Sequence, residues 1–198
     1  GAYLSIPVAH IHGGDVTSTV DELARHAITK LSSLHFAATK AAADRILKMG
    51  EEQRRVFKVG SPGLDSIMHE KLLSREQTAK KYKLDLSKKI ILVLQHPVTM
   101  EAEEAKKQMR VTMQVIKDLG FQSIVIYPNA DAGSRDMLGV INSYRSCSFI
   151  RIYKSIPRRD YLSLMGLASV LVGNSSSGII EAPLFGLPVV NIGSRQQD

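Results

Sequence analysis

Lys89-Ile-Ile-Leu-Val-Leu-Gln95 decides the fold, because its interior, Ile90 to Leu94, is an uninterrupted apolar run of strand length. A strand apolar on both faces is buried on both, which a parallel sheet covered by helices requires. Glu101 to Leu119 follows with helical spacing and is stopped by Gly120; Ser123 to Tyr127 is a second apolar run, broken by Pro128. The alternation continues with Met137 to Tyr144 as helix, Ser148 to Tyr153 as strand and Arg159 to Ala168 as helix. Val170 to Val172, Gly178 to Leu184 and Val189 to Ile192 add strand, helix and strand. This is the doubly wound pattern, in which ligands bind outside the carboxyl ends of the strands.

The same order is visible nearer the N-terminus. Ile6 to Ile11 reads as a strand that stops at Gly13-Gly14, and a helix capped by Thr19 or Asp21 carries Leu23, Ala27, Ile28 and Leu31 at helical spacing down to Ser33. His35 to Thr39 is strand-like, Lys40 to Met49 an amphipathic helix stopped by Gly50, and Val56 to Val59 a strand ended by Gly60-Ser61-Pro62-Gly63. Asp65 to Tyr82 is helical and charged, as a connector between domains would be. The expected division is 1–64 as part of a first Rossmann-like domain, 65–86 as a helical connector and 87–198 as a second Rossmann-like domain.

Composition narrows the function classes. The 198 residues are 44% apolar and 23% charged, as in soluble globular proteins, and the longest apolar runs fall far short of the ~20 residues that span a bilayer. A lone Cys147 forbids an internal disulfide and nothing reads as a secretion signal, so a cytoplasmic location is expected. The net charge of +7 and pI near 9.5 raise the question of nucleic acid. The cations are dispersed, as at Arg54-Arg55, Lys80-Lys81 and Arg158-Arg159, without interleaved aromatics, which argues against it. A positive field does favour a small anionic substrate.

Four loops carry the unusual polar residues: His10-Ile-His-Gly-Gly-Asp15, Gln95-His-Pro97, Asn129-Ala-Asp-Ala-Gly-Ser134 and Gly173-Asn-Ser-Ser-Ser-Gly178. Small hydroxyl residues opening a helix turn N–H and O–H donors toward an anion, as a phosphate cradle does. A serine-rich N-cap needs no ligand, so the loop has a purely structural reading too. Glu181 either complements the helix dipole or accepts from ribose hydroxyls. His10 and His12 share one face of a strand by alternation; with Asp15 they could bind a metal, or the two imidazoles could exchange protons with a sugar. Either histidine alone reads as a structural residue. Asp21 and Arg25, four apart on a helix, are placed to pair, and His96 alone would be an incidental loop histidine.

Taken together, His10-Ile-His-Gly-Gly-Asp-Val16, Asp21-Glu22, Arg25-His-Ala-Ile-Thr-Lys30, Leu94-Gln-His-Pro-Val-Thr99, Pro128-Asn-Ala-Asp-Ala-Gly-Ser134, Gly173-Asn-Ser-Ser-Ser-Gly178 and Ile192-Gly-Ser-Arg-Gln196 resemble the hydrolysing UDP-N-acetylglucosamine 2-epimerases in order and spacing. The resemblance implies two Rossmann-like parallel-sheet domains of the GT-B type, both incomplete in this chain. It places UDP or UDP-GlcNAc mainly on the second, with the sugar in a cleft between them. Carried over residue by residue, His10, Asp21 and His96 take the acid/base work. His96, Asn129, Ile156, Ser175, Ser176 and Glu181 contact UDP, with the serines at the diphosphate, Glu181 at the ribose and the Ile156 backbone at uracil; His12 and Glu22 complete the substrate-binding set. A base would remove the C2 proton, UDP would leave to give a glycal, and water would add to give N-acetylmannosamine. No metal, nicotinamide or other cofactor, no nucleic acid and no membrane is implied, and the full-length protein would be a homo-oligomer.

The chain departs from the family at His12, where a Glu is common. Members also begin with a nucleotide-sugar loop and a Gly-Asp-Arg segment before the position of Gly1 and continue past Gln196, so truncation at both ends and little turnover by this piece alone are expected. The alternatives are a non-hydrolysing epimerase, a GT-B-like UDP-sugar binding or transferase module, and a metal-dependent hydrolase using His10, His12 and Asp15. Within the favoured class a diacetamido sugar is a possible substrate.

Overall fold

The structure, a computed structural model, describes residues 1–16 and 20–196. The chain divides into two compact units, one of residues 1–69 and one of residues 70–196. The expected cap Thr19 lies outside the described residues.

The first unit carries three parallel strands in the order β1 (Ala9–Ile11), β2 (Leu34–Ala37) and β3 (Val56–Lys58). Their register sets His10 beside His35 and His35 beside Val56. α1 (Val20–Lys30) links β1 to β2 and α2 (Lys40–Lys48) links β2 to β3. Thr39 caps α2 by accepting from the Ala42 amide at 3.0 Å, the bond that orphan N–H groups at a helix start require. Ala37, Ala42 and Ile46 form the small core, with Ala43 and Val56 packed against it. Gly14, at φ +84°, passes so close to α2 that a Cβ would meet the Ala42 carbonyl at 2.4 Å, so this position admits no side chain. The strand expected from Ile6 begins only at Ala9, and the helix expected to reach Ser33 ends at Lys30.

The single helix expected over 65–82 is two. α3 (Pro62–His69) closes the first unit and α4 (Arg75–Tyr82) opens the second. A capping box at Ser74 starts α4: the Ser74 hydroxyl accepts from the Gln77 amide and the Gln77 side chain accepts from the Ser74 amide. Nor is α4 a solvated connector. Thr78, Ala79 and Tyr82 are buried, and Tyr82 meets Tyr153 edge-on at 5.3 Å. Its charges occupy only the outer side, and they hide the buried stripe from a reading by composition.

The second unit is a five-stranded parallel sheet of β4 (Ile90–Leu94), β5 (Gln122–Ile126), β6 (Ile150–Tyr153), β7 (Val170–Gly173) and β8 (Val189–Asn191), ordered β6-β5-β4-β7-β8. The continuous apolar runs in the sequence are these strands. Ile91 and Val93 face α5 (Ala105–Leu119) and α6 (Ser134–Asn142) through Met109, Met113, Ile116, Met137 and Ile141. By alternation Leu92, Ile124 and Leu171 face the other way, and all three are buried. α7 (Arg158–Met165) adds fully buried Leu162, Leu164 and Met165.

Two expected helices are shorter than their spacing suggests. The segment from Glu101 opens as a 3-10 stretch over Thr99–Glu104, with α5 proper starting at Ala105. Gly178 to Leu184 splits into α8 (Ser177–Ile180) and a 3-10 turn over Ala182–Phe185, because Pro183 has no N–H to continue the α ladder.

The chain adds β5 and β6 on one side of β4, then β7 and β8 on the other. The carboxyl ends of β4 and β7 therefore flank the topological switch point, where an open α/β sheet forms its crevice.

Candidate functional site

At the switch point β4 ends in Gln95-His96 and β7 ends in Gly173-Asn174. Gly173 has φ +149°, and a Cβ there would fall 1.9 Å from the Leu94 carbonyl, so only glycine lets the two strand ends close this tightly. Asn174, buried, locks the junction. Its Oδ1 accepts from the His96 amide at 2.7 Å and its Nδ2 donates to the His96 carbonyl at 2.9 Å. Arg195 and Gln196 donate in turn to the Asn174 carbonyl at 3.1 and 3.3 Å.

His96 Nδ1 accepts from the Asn129 amide at 3.0 Å. A neutral ring has one proton, so His96 carries it on Nε2 and can offer a donor there. Burial first, and the Arg195 guanidinium second, hold its pKa down to about 4, against smaller opposing effects from Asp131 and Asn129. His96 is thus no incidental loop histidine: both its backbone and its ring are fixed by bonds from neighbouring strand ends.

A cavity of about 280 Å³ lies against His96, Asn129, Lys154, Ser155, Ile156 and Tyr161. Asn129 orients its Nδ2 to Asp131, while its Oδ1 is buried without a partner. Gln95 Nε2, also buried, lacks one too, although Gln95 Oε1 accepts from Thr112 at 2.7 Å. Buried polar atoms left unmet are uncommon and call for an acceptor or donor from elsewhere.

The serine loop is organised by a chain of hydroxyls. Ser177 Oγ donates to Ser175 Oγ at 3.0 Å, and the Ser177 amide donates to the same oxygen at 3.3 Å. With its proton so used, Ser177 accepts from Tyr161 OH at 2.6 Å, which burial pushes up to about 12 and so keeps protonated. Ser175, accepting twice, has its own proton left to give. Ser176 is exposed and makes no capping bond. With α8 a single turn, the donors of this loop rather than a long helix dipole are what it can bring to an anion. Glu181, at the end of α8, has its carboxyl raised by burial against the pull of Arg158, whose Nη2 lies 3.9 Å away.

In the first unit, His10 Nδ1 is 3.1 Å from Thr29 Oγ1, and burial, then His35, then Arg25, hold its pKa below the ordinary value. β1 ends at Ile11 and His12 adopts φ +64°, so the alternation that would set His12 on the face of His10 stops there. His12 instead meets Asp15, Nδ1 to Oδ2, at 3.4 Å. Among the described residues no group of three His, Cys, Asp or Glu side chains is placed to hold a metal ion. Arg25 donates to the Asp15 carbonyl at 2.8 Å rather than pairing with Asp21. Asp21 is exposed in the first turn of α1; Glu22 pairs with His26 at 3.7 Å.

The structure therefore gathers His96, Asn129 and Ile156 around one cavity in the second unit, with Ser175, Ser176 and Glu181 on the neighbouring loop and turn. His10, His12, Asp21 and Glu22 belong to the first unit. Asn174, Tyr161 and Thr29 were not singled out from sequence. Asn174 and Thr29 lie inside motifs quoted above and Tyr161 in the expected helix from Arg159 to Ala168, each as an ordinary polar residue with no spacing to mark it.

Strand order and loop placement define a doubly wound α/β protein whose polar loops converge at the switch point of its larger sheet. The chain matches the UDP-N-acetylglucosamine 2-epimerase family over residues 1–198, and it belongs to that family. It is 44% identical over 194 residues to the UDP-N,N'-diacetylbacillosamine 2-epimerase (hydrolyzing) of Legionella pneumophila, covering 98% of this chain and 52% of that protein. It is 38% identical to the UDP-N-acetylglucosamine 2-epimerase of Neisseria meningitidis, covering 100% of this chain and 52% of the relative. The fold matches a crystal structure of the Neisseria meningitidis UDP-GlcNAc 2-epimerase bound to UDP-GlcNAc with a TM-score of 0.83 at 21% identity, over 98% of this chain and 56% of that one. The units are thus Rossmann-like and of the GT-B type, as the motifs led us to expect. The chain spans about half the length of the curated relatives it matches.

No helix among the described residues is long and apolar enough to cross a membrane.

Proposed function

We propose that this chain is the nucleotide-holding portion of a hydrolysing UDP-2-acetamido-sugar 2-epimerase, which converts UDP-GlcNAc and water to N-acetylmannosamine and UDP. The observation that carries the reading is the convergence of His96, Asn129, Ile156 and the Ser175 loop at the switch point in a chain of this family. In this assignment the cavity beside Ile156 takes the uracil and Asn129 meets its polar edge. Ser175 and Ser176 donate to the diphosphate, and the Glu181 carboxylate accepts from the ribose.

His10, Asp21 and His96 are assigned the proton transfers, with His12 and Glu22 at the sugar. A base removes the C2 hydrogen as a proton, the C1–O bond to UDP breaks with its electrons leaving on the diphosphate, and C1=C2 forms. Water then adds its hydroxyl to C1 while C2 regains a proton from the opposite face, giving the manno configuration. Donors fixed before the reaction stabilise the departing diphosphate without reorganising. The product would enter sialic or related nonulosonic acid synthesis.

A second reading concerns the sugar alone. The 44% identity to an enzyme named for UDP-N,N'-diacetylbacillosamine supports a 2,4-diacetamido sugar as the alternative to UDP-GlcNAc.

Calorimetric titration of the chain with UDP tests the nucleotide site: Ser176→Ala and Glu181→Ala should each weaken binding. Unchanged affinity in both variants would remove the serine loop from the site. For a version of full family length, free N-acetylmannosamine plus UDP supports the hydrolysing reaction, UDP-N-acetylmannosamine the non-hydrolysing one, and sugar transfer to an acceptor the transferase alternative.

A further inference from the structure

Thr29, fully buried in α1, has a hydroxyl to which the reading above gives no task. Its Oγ1 lies 3.1 Å from the Arg25 carbonyl one turn earlier and 3.1 Å from His10 Nδ1 on β1. A carbonyl oxygen only accepts. The single hydroxyl proton therefore goes to Arg25, a back-bond common for Thr inside helices, and a lone pair faces His10. Both contacts are hydrogen bonds at once only when His10 Nδ1 carries a proton. We propose that Thr29 is a positioning residue for His10, holding the ring in its Nδ1–H tautomer and leaving the Nε2 lone pair as the basic atom. The chemical use of that atom rests on the assignment of His10 as a proton acceptor.

The surroundings fix the same ring. Gly13 leaves it room, since a Cβ there would stand 2.7 Å from His10 Nδ1. His35, its register partner on β2, is fully buried and has Nε2 3.2 Å from Glu51 Oε2, while Lys30 Nζ holds Glu51 Oε1 at 2.5 Å. Burial, His35 and Arg25 all disfavour a second proton on His10, so the neutral ring, where tautomer matters, is the form maintained. The Arg25-His-Ala-Ile-Thr-Lys30 segment thereby gains a physical account. Arg25 ties α1 to the glycine loop through the Asp15 carbonyl, Thr29 sets His10, and Lys30 anchors the carboxylate behind His35.

The test is two-bond ¹H–¹⁵N spectroscopy of the 198-residue chain with ¹⁵N-labelled histidine, with His10 assigned through His10→Gln. Wild type should show a protonated Nδ1 and a bare Nε2, Thr29→Ser should keep that pattern, and Thr29→Val should move His10 toward Nε2–H. A wild-type ring protonated on Nε2 would overturn the proposal, because Thr29 would then be giving its proton to Nδ1. So would a Thr29→Val spectrum identical to wild type. If Thr29→Val does not fold, Thr29→Ala removes the same hydroxyl without added bulk and is read in its place. Turnover separates the two ideas. In a version of full family length, Thr29→Val should lower kcat by about tenfold or more with UDP affinity unchanged. Full activity in His10→Gln would instead overturn the assignment of His10 as the base.

Discussion

The side-chain amide of Asn174 brackets the backbone of His96, accepting from its N–H at 2.7 Å and donating to its carbonyl at 2.9 Å. One buried residue thus joins the carboxyl ends of β4 and β7, the two strands that flank the switch point. Arg195 and Gln196, donating to the carbonyl of the same residue, connect the stretch after β8 to this junction.

Asn174→Ala should therefore destabilise the chain by about 2 kcal/mol or more, since each buried hydrogen bond contributes about 1 kcal/mol and unmet backbone groups cost further. Asn174→Asp keeps the acceptor but sets a buried carboxylate oxygen against the His96 carbonyl, and should cost at least as much as Asn174→Ala. Urea unfolding measures both, and UDP titration should show weaker binding in step. A midpoint unchanged in Asn174→Ala would mean that the bracket contributes nothing.

A second consequence concerns acid. With its pKa held down to about 4, against 6.5 for an ordinary histidine, His96 takes up a proton more readily in the unfolded chain than in the folded one. The associated stability is complete above pH 6.5 and is lost as the pH falls from there toward about 4, by the linkage of proton binding to folding. His96→Gln should flatten this part of the profile, leaving a smaller slope between pH 6.5 and 4 than in wild type. Equal slopes in the two proteins would place His96 in a more solvated setting than its contacts indicate.

How much of this was readable beforehand follows from which residues carry it. The alternation of strand and helix was legible because parallel strands buried on both faces must be continuously apolar, as Ile90 to Leu94 is. The polar loops were legible because the site end of such a sheet is fixed by topology. What failed was local. His12 left the strand through a positive φ that no spacing announces. Pro183 cut short the helix after the serine loop, a signal present in the sequence but outweighed by the apolar spacing around it. Asn174 and Thr29 work through single side-chain bonds to strands distant in sequence, and no periodicity encodes those.

The segment from 65 to 82 shows the same limit most directly. Its charges suggested a solvated connector, yet Tyr82 OH donates to Asp160 Oδ2 on α7 at 2.6 Å, and Lys81 pairs with the same carboxylate. Burial opposes the charge on Asp160, but the bonds from Lys81 and Tyr82 outweigh it and leave its pKa below the usual value. Leu73 adds a bond from its amide to Ser163 Oγ at 3.0 Å, so α4 and its approach are both docked on α7. Tyr82→Phe keeps the ring against Tyr153 and removes only the hydroxyl; it should cost about 1.5–3 kcal/mol, the range for a hydrogen bond to a charged group. The sign with pH is also set. A carboxyl with a depressed folded pKa contributes stability above its unfolded pKa of 3.8, and that stability is lost as the pH falls through the folded value. Without Tyr82 OH the Asp160 pKa rises, so acid unfolding of the variant should begin at higher pH than in wild type. Acid titration of both proteins followed by circular dichroism measures this, and coincident curves would show that Lys81 alone holds the carboxylate and that α4 is docked by its apolar face.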